Sequence, residues 1–220
     1  MHLTMLRQFH NTHVHSRRVR VLAGHLCELI PRGARVLDVG AGDGLLASQV
    51  LANRTDLDWV GVDTLARPTT HIPVELFDGQ RLPFPDQQFD VVLFIDVLHH
   101  TDNQMALLRE AVRVSRDSIV IKDHLREGFC AGPTLRLMDW VGNSGWGVSL
   151  PYDYWSRAQW TAAQHELRLK TEQRRVELGL YPWWADWWFG RSLHFIARFR
   201  VPLRLEQTPV ESRVFVQCSN

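Results

Sequence analysis

The chain has 220 residues, with 25 Lys and Arg against 24 Asp and Glu, so it lacks the basic excess of a dedicated nucleic-acid-binding protein. Hydrophobic residues make up 45% of the sequence, which is typical of a globular chain with one well-buried core. No apolar run approaches the roughly 20 residues of a membrane span, no secretory signal is recognisable and the three cysteines are widely spaced, so we expect a cytoplasmic protein without a disulfide framework.

Strands and helices alternate through the first half of the sequence. A helical pattern over residues 3–30 ends at Pro31 and Gly33. Short apolar runs rich in Val and Ile then follow, each bounded by turn-forming residues, at 34–40, 57–63, 74–78, 89–96 and 117–123. Near-continuous apolar strands separated by helices predict an α/β fold with a doubly wound, mostly parallel sheet.

The second half of the sequence follows a different pattern. Two capping boxes, Thr101-x-x-Gln104 and Ser156-x-x-Gln159, predict the starts of two helices, the second of which extends to about residue 169. The strand–helix alternation stops after about residue 124. Two final strands, within 173–180 and 191–199, are expected to pair in antiparallel fashion.

A glycine-rich turn follows the first predicted strand. The stretch VLDVGAGDG, residues 36–44, contains an acid and three alternating glycines: Asp38, Gly40, Gly42 and Gly44. A helix from about Asp43 would present free backbone N–H groups at the carboxyl end of the strand, where open α/β sheets bind ligands. Leu45 stands where the dinucleotide pattern G-x-G-x-x-G needs its third glycine, and no Walker-type phosphate loop is present.

Two further acids stand at the ends of the second and third predicted strands, Asp63 and Asp78. Together, VLDVGAGDG, VGVD and LFDGQRLPFPDQQFDVVLFIDVLHH resemble the motifs of class I S-adenosylmethionine-dependent methyltransferases, especially the small-molecule group that includes the ubiquinone/menaquinone methyltransferases. The resemblance covers residues 34–123. No single motif is specific, but the set is.

The resemblance implies S-adenosylmethionine as cofactor and a Rossmann-like sheet of seven strands, the last one antiparallel, with a helical and aromatic cap. It implies that Asp63 binds the ribose hydroxyls, that Asp78 and Gly79 lie at the adenine, and that residues 95–98 lie near the methionine moiety. The expected cofactor-binding residues are Asp38, Gly40, Ala41, Gly42, Gly44, Asp63, Thr64, Asp78, Gly79, Ile95 and Asp96.

Candidate catalytic residues follow the fourth and fifth strands. A base near neutral pKa helps to remove the proton that an oxygen or nitrogen acceptor sheds on methylation. We expect His124, with Asp123 beside it, to supply that base, because the fifth strand ends where the acceptor must meet the methyl group. His99 and His100 are alternatives, although packing explains their LHH stretch better. No metal is expected, because the histidines at 10, 13 and 15 lack the spacing and the carboxylate of a metal site.

Most of the nine tryptophans lie between residues 140 and 188. They could form a small aromatic core, wall a pocket for a planar or lipophilic substrate, rest on a membrane surface or form a dimer contact. We favour the pocket. Its candidate residues are Trp140, Tyr152, Tyr154, Trp155, Trp183 and Trp184.

The sequence therefore predicts one methyltransferase domain over residues 1–220, with a helical cap (1–30), a cofactor-binding half (31–124) and an aromatic-rich substrate-side half (125–220). It would transfer a methyl group to a small aromatic or lipophilic acceptor, with oxygen preferred over nitrogen and carbon. The alternatives are methylation of a quinone or polyene lipid at a membrane surface, and a non-catalytic cofactor-binding module that regulates a partner. The expected partner is the acceptor, not nucleic acid, and the chain would be a monomer or a homodimer.

Overall fold

The computed structural model describes residues 16–128, 130–143, 151–183, 186, 189 and 193–202, with only the backbone described for 141–143. The first part of the predicted N-terminal helix, residues 3–15, and the pocket candidate Trp184 lie outside these residues.

A single sheet of seven strands organises the described part of the chain. Its strands are β1 (Arg35–Val39), β2 (Asp58–Asp63), β3 (Val74–Leu76), β4 (Phe89–Ile95), β5 (Ser115–His124), β6 (Lys170–Arg175) and β7 (His194–Arg200). The spatial order is β3-β2-β1-β4-β5-β7-β6. The pairs from β3 to β5 are parallel, whereas β7 runs antiparallel to both β5 and β6. The predicted fold class and the antiparallel last strand are confirmed.

Within the described residues, five bounded α-helices accompany the sheet: α1 (Ser16–Leu29), α2 (Leu45–Leu51), α3 (Gln104–Val114), α4 (Ala131–Asn143) and α5 (Arg157–Glu166). Apolar residues of α1 and α2 pack in one cluster with Val36 and Val91, whereas those of α3 and α5 pack in another with Leu37 and Val92. Successive strand residues therefore face opposite sides of the sheet, and helices bury both sides.

One predicted capping box forms and the other does not. Ser156 accepts a hydrogen bond from the backbone N–H of Gln159, whose side chain accepts one from the backbone of Ser156, so this box is confirmed. The box at Thr101 is wrong, because Asn103 is the N-cap of α3 and the Thr101 hydroxyl donates to the Leu98 carbonyl. The short 3₁₀ turn Leu98–His100 provides that carbonyl and delays the helix.

The last two strands differ in extent from the prediction. β6 begins and ends earlier in the chain than the predicted 173–180, and β7 begins within the predicted 191–199 and ends one residue beyond it. Among the described residues, no helix is both long enough and apolar enough to cross a bilayer.

Candidate active site

The glycine turn after β1 has the backbone geometry that only glycine adopts without strain. Gly40, Gly42 and Gly44 have φ values of 75°, 62° and 75°. A Cβ atom on Gly40 would lie 2.4 Å from Val97 Cγ2, and one on Gly44 would lie 2.4 Å from Ile72 Cγ1. A Cβ on Gly42 would meet nothing within 4 Å. Gly40 and Gly44 are thus required by packing against the protein, whereas Gly42 faces open space.

The backbone N–H groups of this turn have partners inside the protein, so the expectation that they are free is wrong. Gly40 and Ala41 both donate to the Val62 carbonyl, and Gly42 donates to Asp63 Oδ2 at 2.8 Å. Gly44 donates to the Ala41 carbonyl. The turn folds back against the end of β2. Acceptors at the end of that strand bind N–H groups whose partners the sequence does not reveal.

Asp38 is the penultimate residue of β1, Asp63 is the last residue of the neighbouring β2, and both are buried. Burial raises the pKa of Asp38 to about 7, and the nearby charge of Asp63 adds to this effect. The Asp63 carboxylate accepts from the Gly42 and Leu65 backbone N–H groups, one on each oxygen. Each oxygen has a second lone pair, so Asp63 can also accept from a ligand hydroxyl.

The ends of β2 and β3 lie side by side. Gly79 has φ 78°, and a Cβ atom on it would lie 3.1 Å from Thr64 Cγ2. Asp78 is exposed, and its Oδ1 accepts from the backbone N–H groups of Gln80 and Arg81, which lower its pKa. These candidate cofactor residues therefore border one edge with the glycine turn, at the carboxyl ends of β1, β2 and β3.

Asp96 directly follows β4 in a strained backbone conformation. Its φ is 58°, in the left-handed region that costs a non-glycine residue on the order of 1 kcal/mol or more. Arg18 of α1 binds Asp96 Oδ2 at 2.8 Å, and the buried Lys122 binds Oδ1. Although burial opposes it, these cations hold the pKa of Asp96 well below its usual range. Ile95, the last residue of β4, is half-buried.

Three of the four candidate catalytic residues form one buried cluster. His99 Nδ1 lies 2.6 Å from Asp123 Oδ1, and His124 Nδ1 lies 3.2 Å from the same oxygen. The backbone N–H of His124 also donates to Asp123 Oδ1. His100 is half-buried beside them, with its ring centroid 4.1 Å from that of His99. The cluster lies where β4 and β5 end.

The pKa values of the two buried histidines, His99 and His124, are shifted in opposite directions. Burial alone would lower the pKa of His99, but the carboxylates of Asp123 and Asp139 raise it to about 10. Burial, Lys122 and His99 lower the pKa of His124 to about 4. Burial would raise the pKa of Asp123, but the histidines hold it well below its usual range. At neutral pH His124 is therefore a neutral imidazole and Asp123 a carboxylate.

Polar residues that the sequence analysis missed complete the cluster: Arg18, Lys122, Asp139 and His194. Asp139 of α4 lies 3.4 Å from His99 Nε2, and His194 Nδ1 lies 3.4 Å from Lys122 Nζ. A signal was present for Lys122, because a charge inside the apolar run IVIKD is unusual for a buried strand.

The aromatic pocket candidates are placed in different surroundings. Tyr154 is buried, donates to Asp139 Oδ2 at 2.5 Å and stacks on His99 with ring centroids 5.3 Å apart. Tyr152 and Trp155 are half-buried next to it in sequence. Trp140 and Trp183 are 52% and 85% exposed. Among the described pocket candidates, Tyr154 contacts the candidate catalytic residues His99 and His124, and it does so as part of the core.

Comparison with known proteins identifies the central part of the chain. Residues 37–119 match the family described as "Methyltransferase domain". This central part of the chain therefore resembles methyltransferase domains, and it lies in a Rossmann-like sheet. The chain is 28% identical over 141 residues to a ubiquinone/menaquinone biosynthesis C-methyltransferase of Cupriavidus metallidurans, and 29% identical over 110 residues to the 27-O-demethylrifamycin SV methyltransferase of Amycolatopsis mediterranei.

These matches cover part of each protein. They include 56% and 43% of this chain and span 58% and 40% of the two relatives, respectively. A solved structure with a similar fold is a protein described as a methyltransferase, in complex with the Trm112 activator of Haloferax volcanii. It covers 90% of this chain and 93% of its own, with a TM-score of 0.62 and 15% identity.

Proposed function

We propose that this methyltransferase domain transfers a methyl group from S-adenosylmethionine to a small aromatic or lipophilic acceptor. The observation that carries the proposal is the open surface over Gly42, next to Asp63, inside the region that matches the family. Asp63 would accept from the ribose hydroxyls, and Asp78 with Gly79 would border the adenine. The sulfonium makes the methyl group electrophilic, so the protein mainly aligns the acceptor with it.

The acceptor would meet the methyl group at the ends of β4 and β5. His124 Nδ1 lies 3.2 Å from Asp123 Oδ1, so the carboxylate orients the ring as it would orient a base, although burial lowers the pKa of His124 to about 4, below the near-neutral value expected of this base. This pair favours an acceptor that sheds a proton, hence oxygen first and nitrogen second. One relative is named a 27-O-demethylrifamycin SV methyltransferase and the other a C-methyltransferase, so the names of similar proteins include both oxygen and carbon acceptors.

The cofactor site is tested by calorimetry with matched glycine variants. Gly42→Val would fill the open surface and should abolish S-adenosylmethionine binding. Gly33→Val is the control, because Gly33 also has positive φ, 66°, and open space, but precedes β1. Both variants should lose about 1–2 kcal/mol of stability from backbone strain. Equal cofactor affinity in the two variants would remove Gly42 from the site.

The reaction is tested with methyl-labelled S-adenosylmethionine and a panel of phenolic, quinol and polyene acceptors. Mass spectrometry should detect a labelled product together with S-adenosylhomocysteine. His124→Ala should lower kcat at least about tenfold and leave cofactor affinity unchanged, since a positioned base contributes roughly 10²- to 10⁴-fold. Tight cofactor binding without transfer to any acceptor would favour the non-catalytic regulatory module.

A further inference from the structure

The two nitrogens of His99 have different surroundings. Nδ1 lies 2.6 Å from Asp123 Oδ1, whereas Nε2 is buried and has no hydrogen-bond partner within the described residues. The nearest carboxylate oxygen to Nε2 is Asp139 Oδ1, at 3.4 Å. Charge-assisted N–H···O bonds close to about 2.7–2.9 Å. The distance between His99 Nε2 and Asp139 Oδ1 is therefore longer than that of a direct charge-assisted hydrogen bond.

A metal ion accounts for this separation. Four ligands at about 2.0–2.1 Å around a tetrahedral ion lie roughly 3.4 Å from one another. One ligand atom each from His99, His100 and Asp139 can be chosen so that all three lie within 4.8 Å of one another. We propose that His99 Nε2, a ring nitrogen of His100 and the Asp139 carboxylate bind one divalent transition-metal ion.

The groups behind these ligands have the arrangement found around metal sites. A ligating histidine usually donates its other ring N–H to a carboxylate, and a ligating carboxylate is itself hydrogen-bonded. Asp123 is in that position toward His99 Nδ1, and the Tyr154 hydroxyl donates to Asp139 Oδ2 at 2.5 Å. Two imidazoles and one carboxylate suit Zn²⁺ or Fe²⁺ and not Mg²⁺ or Ca²⁺, which prefer oxygen ligands.

The neighbouring group of His99, Asp123 and His124 also brings ligand atoms within 4.8 Å of one another. These residues are already hydrogen-bonded to one another, however. Asp123 Oδ1 already accepts from the His124 backbone N–H at 2.7 Å, and His99 Nδ1 lies 2.6 Å from it. Both are ordinary hydrogen-bond distances, and the 2.6 Å between His99 Nδ1 and Asp123 Oδ1 is too short for two ligands of one tetrahedral ion. The two groups share His99, so variants of the other residues separate them.

The charges of the cluster are compatible with a cation at this place. Three carboxylates, those of Asp96, Asp123 and Asp139, lie in the cluster with two basic side chains, Arg18 and Lys122. The carboxylates outnumber these basic side chains by one, and this excess favours a further cation.

The half-buried His100 would put the ion near the end of β4, where the acceptor is expected. An open coordination position there would attract the acceptor oxygen, and this consequence rests on the proposed function. Binding of the ion itself does not, and it is tested without any acceptor.

The test is metal binding to the full chain, prepared without a histidine tag and dialysed against a chelator. Titration with Co²⁺, followed by visible absorption, and with Zn²⁺, followed by calorimetry, should give one equivalent bound. His100→Ala and Asp139→Asn should each weaken binding at least about tenfold, and Tyr154→Phe, behind a ligand, by roughly 10- to 100-fold. His124→Ala and His165→Ala, an exposed histidine of α5, should bind as the wild type does.

Three results would overturn the proposal: less than one equivalent of tightly bound Co²⁺ or Zn²⁺, an equal loss in His165→Ala, or a loss in His124→Ala with none in His100→Ala. His100 is half-buried and Asp139→Asn is isosteric, so these variants should fold even where His99→Ala does not. Circular dichroism and S-adenosylmethionine affinity, both expected to be unchanged, verify folding. A chain that binds the cofactor but no metal would contradict this inference alone.

Discussion

Asp38 is the residue at which burial and a like charge act together. It is 5% exposed and stands at the end of β1 with the Asp63 carboxylate nearby. Its pKa rises from 3.8 to about 7, so the folded protein holds a proton that the unfolded chain has released. Between these two values the folded state binds more protons than the unfolded state. The free energy of unfolding that Asp38 contributes is therefore present below about pH 4 and is lost as the pH rises through 7.

The Asp38→Asn variant isolates this effect, because an amide cannot ionise. Relative to the wild type, the variant should gain on the order of a few kcal/mol in free energy of unfolding between pH 4 and pH 8. Urea denaturation of both proteins at these two pH values gives the difference, in which the other titrating groups cancel. A difference that does not change with pH would contradict the raised pKa of Asp38.

At the scale of the elements, the candidate catalytic residues lie at or just after the ends of strands. β4 is followed by the strained Asp96 and by a 3₁₀ turn that carries His99 and His100, and β5 ends in Asp123 and His124. Helix α1 reaches this edge through the Arg18–Asp96 ion pair. The N-terminal helix is thus tied to the candidate site as well as to the sheet.

Helix α4 provides a second contact of this kind. Its Asp139 accepts from Tyr154 and lies opposite His99 Nε2, so α4 and the end of the sheet share a buried polar contact. Each of these groups would be costly to bury alone, because an unpaired buried charge loses its hydration. The position of α4 and the protonation of the histidines therefore depend on one another.

At the scale of the whole molecule, the large aromatic side chain of Trp183 lies in solvent. Trp183 is 85% exposed, so for this residue an aromatic core is not the explanation. Trp140 and Leu137 of α4 are about half exposed, at 52% and 51%. We keep the substrate pocket as the proposed role of Trp183 and the membrane surface as the alternative.

Trp183→Ala distinguishes these roles. Because the side chain is exposed, the variant should keep its free energy of unfolding within about 0.5 kcal/mol and its cofactor affinity unchanged. With the acceptor that the product assay identifies, KM should rise. Co-sedimentation with phosphatidylcholine/phosphatidylglycerol vesicles should be equally low for both proteins. Vesicle binding by the wild type that the variant loses would identify a membrane contact instead.

The sequence by itself determined the α/β class, the doubly wound sheet and the glycine turn after β1. These features follow from short stretches of sequence. The apolar runs have the length of buried strands, and Gly40, Gly42 and Gly44 occupy positions where φ is positive. The capping box at Ser156 is equally local, and it formed as predicted. Thr101 has the same pattern, but the preceding turn offered its hydroxyl another acceptor.

Only the tertiary structure decided which polar groups meet. Asp139 comes 40 positions after His99 in the sequence, and no local pattern pairs them. Lys122 contacts Asp96 because β4 and β5 are neighbouring strands in register. The fate of the N–H groups in the glycine turn was likewise set by the approach of β2. Hydrogen bonds and ion pairs act over a few ångströms, so they depend on the packing of distant segments, whereas the apolar periodicity that forms the strands is already present in each segment.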